Sequence, residues 1–289
     1  MLCVGAAPEP YLAPLLASLR DAVDLLAVND NSGLARSESV ATLEASDLGR
    51  RGSLILARHP FVDFADMRNR AYAALLASER PPDWVLFADA DEVHGDQIRY
   101  LAREVLPRLD AGVGRLDAYT YHFLGTFGWI TDVARRSVFY RFDPALRWVN
   151  AVHEVPQGVR GRTLVVPYIY HHYGNVVPPQ VLIEKHRLYT DLGDPTPRPR
   201  RSRPEEIFLE QAARVRPYRG SHPRAAQAAI ADLERRHAGE FAALEAEFRA
   251  RRSGSTRLRA GLRAVNEYLR VRLRLAQHLR LYRAPVVAR

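Results

Sequence analysis

The stretch Asp83-Trp84-Val85-Leu86-Phe87-Ala88-Asp89-Ala90-Asp91-Glu92 decides how the rest of the chain is read. Trp84 to Ala88 is an unbroken apolar run of strand length, and it stops abruptly at three carboxylates. A buried strand has little reason to end in three acids unless something positive binds there. Hard oxygen ligands at a sheet edge suit Mg²⁺ or Mn²⁺, with the remaining coordination going to phosphates and water. The implied ligand is a metal-bound diphosphate. An Asp-x-Asp pair alone is also a common solvated helix start, so the preceding strand carries the reading.

Working outward toward the start, Met1 to Ala6 and Val23 to Val28 are short apolar runs, with helical spacing of Leu and Ala over Tyr11 to Arg20 between them. Leu54 to Ala57 is a third strand candidate, and Phe64 to Ala77 is a helix leading into the Trp84 strand. Strands alternating with helices predict an open, mostly parallel α/β sheet flanked by helices, with ligands beyond the carboxyl ends of the strands. Two further features lie at that edge. Asp30 sits in the turn Asn29-Asp30-Asn31-Ser32-Gly33, where a carboxylate and backbone amides can grip a nucleobase or ribose, or form an ordinary Asx turn. Arg68-Asn69 lies on the helix before the Trp84 strand, where the guanidinium either reaches a phosphate or base or is solvated.

Toward the C-terminus, residues 118–173 read as short, aromatic-rich β-like pieces completing the same domain. His171 and His172 follow the Leu164 to Tyr170 strand and point to opposite faces, so only one can face the acids. The expectation is His171, as a third metal or phosphate ligand or as a hydrogen-bonded structural histidine. Residues 194–204 hold four prolines and four arginines and fit neither helix nor central strand, so a linker or surface loop is expected, with 194–224 taken as the linker. Ile230, Leu233, Phe241, Leu244 and Phe248 share a helical face, as do Leu258, Leu262, Val265, Leu269, Leu273 and Leu279, so a helical extension is expected over 225–289.

Composition bounds the class. The 289 residues are 47% hydrophobic, enough for an ordinary core, and the longest apolar run is too short to cross a membrane. With no secretory signal pattern and Cys3 as the single cysteine, a reducing, cytoplasmic setting is expected. The net charge of +9 divides unevenly: residues 1–197 carry 20 basic against 24 acidic residues, and residues 198–289 carry 22 against 9. Residues 249–289 hold twelve Arg and one Glu, a face suited to an anionic membrane surface, to nucleic-acid phosphates, or to packing with the arginines solvated. Lys185 is the only lysine among the 42 bases, a bias of the whole chain that argues against reading each Arg as a phosphate ligand. No phosphate loop, nucleophile elbow or His-Glu-x-x-His helix occurs, which argues against kinase, hydrolase and zinc-protease chemistry.

Taken in order, these pieces resemble glycosyltransferase family 2, nucleotide-sugar-dependent enzymes of the GT-A fold. The matching segments are Val28-Asn29-Asp30-Asn31-Ser32-Gly33 for the "D-D-x-S" turn, Arg68-Asn69-Arg70-Ala71 for "R-N-x-A/G", and Asp83 to Glu92 for "D-W-hydrophobic-D-A-D-E". Val138-Phe139-Tyr140-Arg141 with Trp148-Val149-Asn150-Ala151-Val152-His153-Glu154 resembles the "L-F-R … G-x-V-H-E" segment of a bacterial branch, and His171, Lys185 and Tyr189 a later "H … K-x-x-x-Y". About 190 residues are covered, with Asn29 in place of the first acid of the turn and Gly33-Leu34 where a second acid is usual.

The resemblance implies a GT-A catalytic domain over 1–193, with a nucleotide-binding half at 1–92 and an acceptor half at 93–193. It implies that Asp30 contacts the nucleoside and Arg68 the nucleotide, and that Asp89 and Asp91 serve the ribose, the metal (Mn²⁺ or Mg²⁺) and the diphosphate, with Glu92 in support. The implied activity is metal-dependent, inverting transfer of a sugar from a nucleoside-diphosphate sugar, a UDP-sugar being favoured, to an acceptor hydroxyl. Inversion by direct displacement needs one base on the acceptor side. Glu154 is the candidate, or else a structural partner of Arg141 or Arg147; Asp132 is the reserve, and Trp148 is placed to stack on a sugar. The acceptor is a lipid-linked or lipopolysaccharide glycan, or modified nucleic acid, with 249–289 as a contact to membrane or polyanion. The competing readings are a catalytically inactive scaffold whose basic C-terminal helices bind nucleic acid or an anionic membrane, and a nucleotidyltransferase, for which Gly5-Ala6-Ala7-Pro8 lacks the usual Gly-rich loop.

Overall fold

The computed structural model describes residues 1–79, 81–193 and 210–251, with the single positions 206 and 265. The first half follows the expected alternation: β1 (Leu2–Val4), α1 (Leu12–Leu19), β2 (Leu26–Asp30), α2 (Glu38–Ala45), α3 (Asp47–Arg50), β3 (Leu54–Arg58), α4 (Phe64–Leu76) and β4 (Trp84–Leu86). β2 lies between β1 and β3, parallel to both. The Met1 amine donates to the Leu86 carbonyl (2.8 Å) and the Ala88 amide to the Met1 carbonyl (3.2 Å), so β1 runs beside the β4 segment.

Burial explains why these strands lack polar alternation. Leu26 and Val28 of β2 enter one core with Leu86 and Ala88, while Ala27 enters a second core with Val85 and Phe87. Successive side chains point to opposite faces, and both faces are covered, so Leu26 to Val28 and Val85 to Ala88 are apolar throughout, with the polar Asn29 and Asp30 confined to the carboxyl end of β2. The helix α4 closes one face with Ala65, Arg68, Ala71, Tyr72 and Leu75, a stripe at helical spacing in which Arg68 is the one charged member.

Beyond β4 the structure departs from a mostly parallel sheet and from short pieces. The elements are β5 (Glu92–Val93), α5 (Gln97–Tyr100), β6 (Val113–Leu124), β7 (Thr126–Arg141), β8 (Arg147–Val149), β9 (Val155–Gln157), β10 (Arg162–His172), α6 (Pro179–Asp191) and β11 (Arg216–Pro217). They form a second sheet in the order β11-β7-β6-β10-β5, with β4 also on β7. Only the β6–β10 pairing is parallel; β4–β7, β6–β7, β5–β10 and β7–β11 are antiparallel. The fold is therefore mixed α/β: a parallel sheet joined to a larger mixed one, with helices packed on both. The long β6–β7 hairpin turns at Gly125, whose φ of +69° favours glycine and where a side chain would press on the Phe248 ring.

The stretch expected as a linker is packed where it is described. Ala212 and Val215 are buried with Leu124, Trp129 and Leu182, and β11 extends the second sheet. The apolar face at 230–248 folds as two helices, α7 (Gln227–Arg236) and α8 (Ala238–Ala250), whose Ile230, Leu233, Leu244 and Phe248 cover the hairpin tip. The arginine-rich segment beyond 251 and its expected second helix lie outside the described residues, apart from Val265. Among the described residues no helix is long and apolar enough to cross a membrane. Phe248 is fully buried, so Phe248→Ala is expected to cost about 3–5 kcal/mol in urea unfolding. A cost below about 1 kcal/mol would mean that α8 is not part of the core.

Candidate functional site

The carboxyl ends of β1, β2 and β4 and the facing ends of β5 and β10 converge on one cluster. Asp89, Asp91 and Glu92 follow β4 in a tight turn, in which the Asp89 amide donates to Glu92 Oε2 (3.1 Å) and the Glu92 amide to the Asp89 carbonyl (3.0 Å). Asp91 Oδ1 lies 3.4 Å from His172 Nε2, and ligand atoms of Asp89, Asp91 and His172 all fall within 4.8 Å of one another. Gly174 is part of this geometry, because a side chain there would overlap Asp91 Oδ2.

The guanidinium of Arg68, 6% exposed, holds the cluster from the α4 side. It lies over the Phe87 ring, 3.5 Å from its centroid, and donates to Asp89 Oδ1 (3.2 Å) while pairing closely with Glu154 Oε1. Arg136 of β7 approaches Glu92 Oε1 (3.5 Å) and Asp89 Oδ2 (3.9 Å) from the other side. A cleft of about 180 Å³ opens between these groups, lined by Arg68, Asp89, Glu92, Arg136, Glu154 and Tyr170.

The loop that carries Glu154 is fixed by α4. Asn69 receives the Trp148 amide on its Oδ1 (2.8 Å) and donates Nδ2 to the Trp148 carbonyl (2.9 Å), and the Phe64 amide donates to the Ala151 carbonyl (3.1 Å). Asn150 and His153 both have positive φ, +75° and +54°. Left-handed backbone at non-glycine residues persists only where surrounding contacts over-determine it, and such strain concentrates at functional sites.

The electrostatics separate the acids. Burial would raise the Asp89 carboxyl, but Arg68 and Arg136 outweigh it and hold it below the ordinary range. Burial raises Asp91 to about 6, and burial with the Asp89 charge raises Glu92 to about 8. Glu9, in the loop after β1, is pushed up to about 8 by burial and by Asp91. Lys185 on α6 is desolvated, yet Tyr189, Asp91, Asp89 and Glu9 more than offset this and keep its ammonium above the ordinary value. Five carboxyl groups, Asp89, Asp91, Glu92, Glu154 and Glu9, thus share this region with three cations, Arg68, Arg136 and Lys185.

Several expected residues stand differently. His172, not His171, faces the acids; His171 turns to the opposite side, where Nε2 meets the Tyr218 hydroxyl (2.8 Å) and the ring stacks on Phe123. Trp148 is 4% exposed and packed against Tyr72, Phe87 and Tyr140, so it contributes to the wall of the cleft as a largely buried ring. Glu154 is paired with Arg68 rather than with Arg141 or Arg147. That makes Arg68 neither solvated nor free: its guanidinium is committed to this protein's own carboxylates. Asp30 is buried at the end of β2 and receives the Ser32 amide on Oδ1 (3.0 Å), the Asx turn. Asp132 is exposed on β7, across from His122 and apart from the Asp89 cleft. Sequence reasoning missed Glu9, Arg136, Gly174 and the clamp made by Asn69, and assigned Lys185 no role. The sequence matches no protein-family model, and no curated protein matches it.

Two outcomes test this site. Arg68→Met strands two carboxylates in the interior and is expected to cost about 3–5 kcal/mol in urea unfolding; a cost under 1 kcal/mol would contradict the bridging role. The raised carboxyl of Glu9 means that this group holds its proton in the folded protein and loses it in the unfolded chain between about pH 4.5 and 8. Its contribution to metal-free stability is therefore expected to fall as pH rises through that window, while the buried histidines and the Met1 amine act in the opposite direction in wild type and variant alike. The melting temperature of wild type relative to Glu9→Gln is expected to drop across the window, and a difference that stays constant would refute the assignment.

Proposed function

We propose that this protein is a glycosyltransferase of the GT-A type that moves a sugar from a nucleoside-diphosphate sugar to an acceptor hydroxyl with inversion. The observation that carries the reading is the convergence of Asp89, Asp91 and His172 at the carboxyl edge of the sheet, beside a glutamate held by a buried arginine. A continuous run of strands, β3-β2-β1 beside β4 and then β7-β6-β10, supports the GT-A assignment, as does a ligand edge where β1, β2 and β4 end.

The residues fit a divalent cation. Asp91 Oδ1 is buried and accepts no hydrogen bond, and ligand atoms within 4.8 Å of one another are close enough to share an ion at about 2.0–2.6 Å from each. The two carboxylate oxygens suit Mn²⁺ or Mg²⁺ and the imidazole favours Mn²⁺ of the two, so Asp89, Asp91 and His172 would hold it. Bound there, the ion would neutralise charge developing on the leaving diphosphate.

The chain's own residues do the rest. Lys185 and Arg136 flank the acids and meet the oxygens of a diphosphate that the acids alone would repel. Glu154 takes the acceptor proton as the acceptor oxygen bonds to the anomeric carbon and the bond to the diphosphate breaks. Arg68 holds Glu154 in place and ties it to Asp89, so the donor and acceptor sides share one support.

The experiment is a thermal-shift panel of UDP, GDP, CDP and dTDP, each with and without Mn²⁺, since a ligand that binds only the folded state raises the melting temperature. A metal-dependent rise, with UDP the first expectation, that disappears in Asp91→Ala supports the reading. No rise with any nucleotide contradicts it and favours an inactive scaffold. Glu154→Gln is expected to keep the rise while losing transfer by at least about 100-fold, the scale of a general base; wild-type turnover would remove Glu154 from that role.

A further inference from the structure

A row of side chains crosses the second sheet at the height of the acids. Asp132 on β7 is the register partner of His122 on β6, His122 of His172 on β10, and His172 of Glu92 on β5. Within this row the two imidazoles touch: His122 Nδ1 lies 3.2 Å from His172 Nδ1, with ring centroids 4.8 Å apart and the planes tilted by 60°. The other nitrogen of His172 is the one beside Asp91.

We propose that His122 is a positioning residue that sets the tautomer and orientation of His172, so that His172 Nε2 presents its lone pair to a divalent cation held with Asp89 and Asp91. The inference rests on the metal-site reading above. Two neutral imidazoles meeting Nδ1 to Nδ1 share a single proton: one ring donates and the other accepts. When His172 donates, its Nε2 is unprotonated and can ligate. When His122 donates, His172 carries its proton on Nε2, toward Asp91, and ligation is blocked.

Both arrangements carry one proton per ring. To pass from the blocked to the ligating one, His172 loses the proton on Nε2 and takes one at Nδ1 from His122, which gains one at its own Nε2. The pair releases no net proton. Burial favours the neutral form of both rings, and Asp132 puts a negative charge on the His122 side of the row. A ligating histidine generally gives its second nitrogen to a carboxylate, carbonyl or water. Here that partner is a second histidine, so neither ring carries charge into a site that must also admit a cation.

The test is Mn²⁺ titration into the full-length protein, with free Mn²⁺ read by electron paramagnetic resonance, for wild type, His122→Phe and His122→Asn. The phenylalanine variant, which fills the space without a nitrogen, is expected to weaken Mn²⁺ binding about 10–100-fold. Asparagine, which restores a hydrogen-bonding group near the position of Nδ1, is expected to recover most of it. Equal Mn²⁺ affinity in wild type and His122→Phe would overturn the positioning role and leave the metal site standing. No Mn²⁺ binding by wild type would overturn the metal site and this inference with it. The ¹⁵N shifts of the His172 ring in the Mg²⁺-loaded wild type give a check that needs no variant: Nδ1 protonated is expected, and Nε2 protonated would contradict the proposal.

Discussion

The buried guanidinium of Arg68 is the interaction on which the rest of the site depends. It links three segments distant in sequence: α4, on which it sits, the acid turn after β4 through Asp89, and the 150–154 loop through Glu154. A charge taken out of water must be paired and hydrogen-bonded, and a pair broken on one side leaves the other side stranded at a cost of several kcal/mol. Arg68 therefore obliges α4, the β4 turn and the Glu154 loop to meet in one arrangement. The neighbouring Asn69 acts in the same direction with neutral groups, gripping both backbone ends of Trp148. Consecutive residues on one helix thus fix the acid and the loop opposite it.

The second constraint is an imbalance of charge. Asp89, Asp91, Glu92, Glu154 and Glu9 share a small volume with Arg68, Arg136 and Lys185, and burial, reinforced by the neighbouring acids, pushes the carboxyls of Glu9 and Glu92 up to about 8. Perturbed carboxyls of this kind cluster at functional sites. The backbone strain at Asn150 and His153 belongs to the same pattern, since it lies beside Glu154 and is held by contacts from α4 and by the buried Val152.

Legibility followed the range of the interactions involved. The acid cluster could be read because the evidence is local: an apolar strand covered on both faces ends in carboxylates, and chain order alone places it at the sheet edge. The parity of His171 and His172 could not, because β10 is irregular against β6 between Val165 and Ile169, and only the paired strand shows which face each residue takes. Trp148 beside a glutamate reads equally as a sugar platform or as core; Asn69, 79 residues earlier, decides for core. The long β6 and β7 read as fragments because Asp132, Arg135 and Arg136 interrupt the aromatic pattern on a strand whose other face is partly open. Glu9 and Lys185 reach the site from opposite ends of the domain, and no spacing rule connects them.

The central claim is that the cluster at the end of β4 is a cation site, and crystals soaked in Mn²⁺ with UDP and measured at a wavelength where manganese scatters anomalously address it directly. The account requires an anomalous peak within ligand distance of Asp91 Oδ1 and His172 Nε2. A peak elsewhere, or none at full nucleotide and metal saturation, would contradict it.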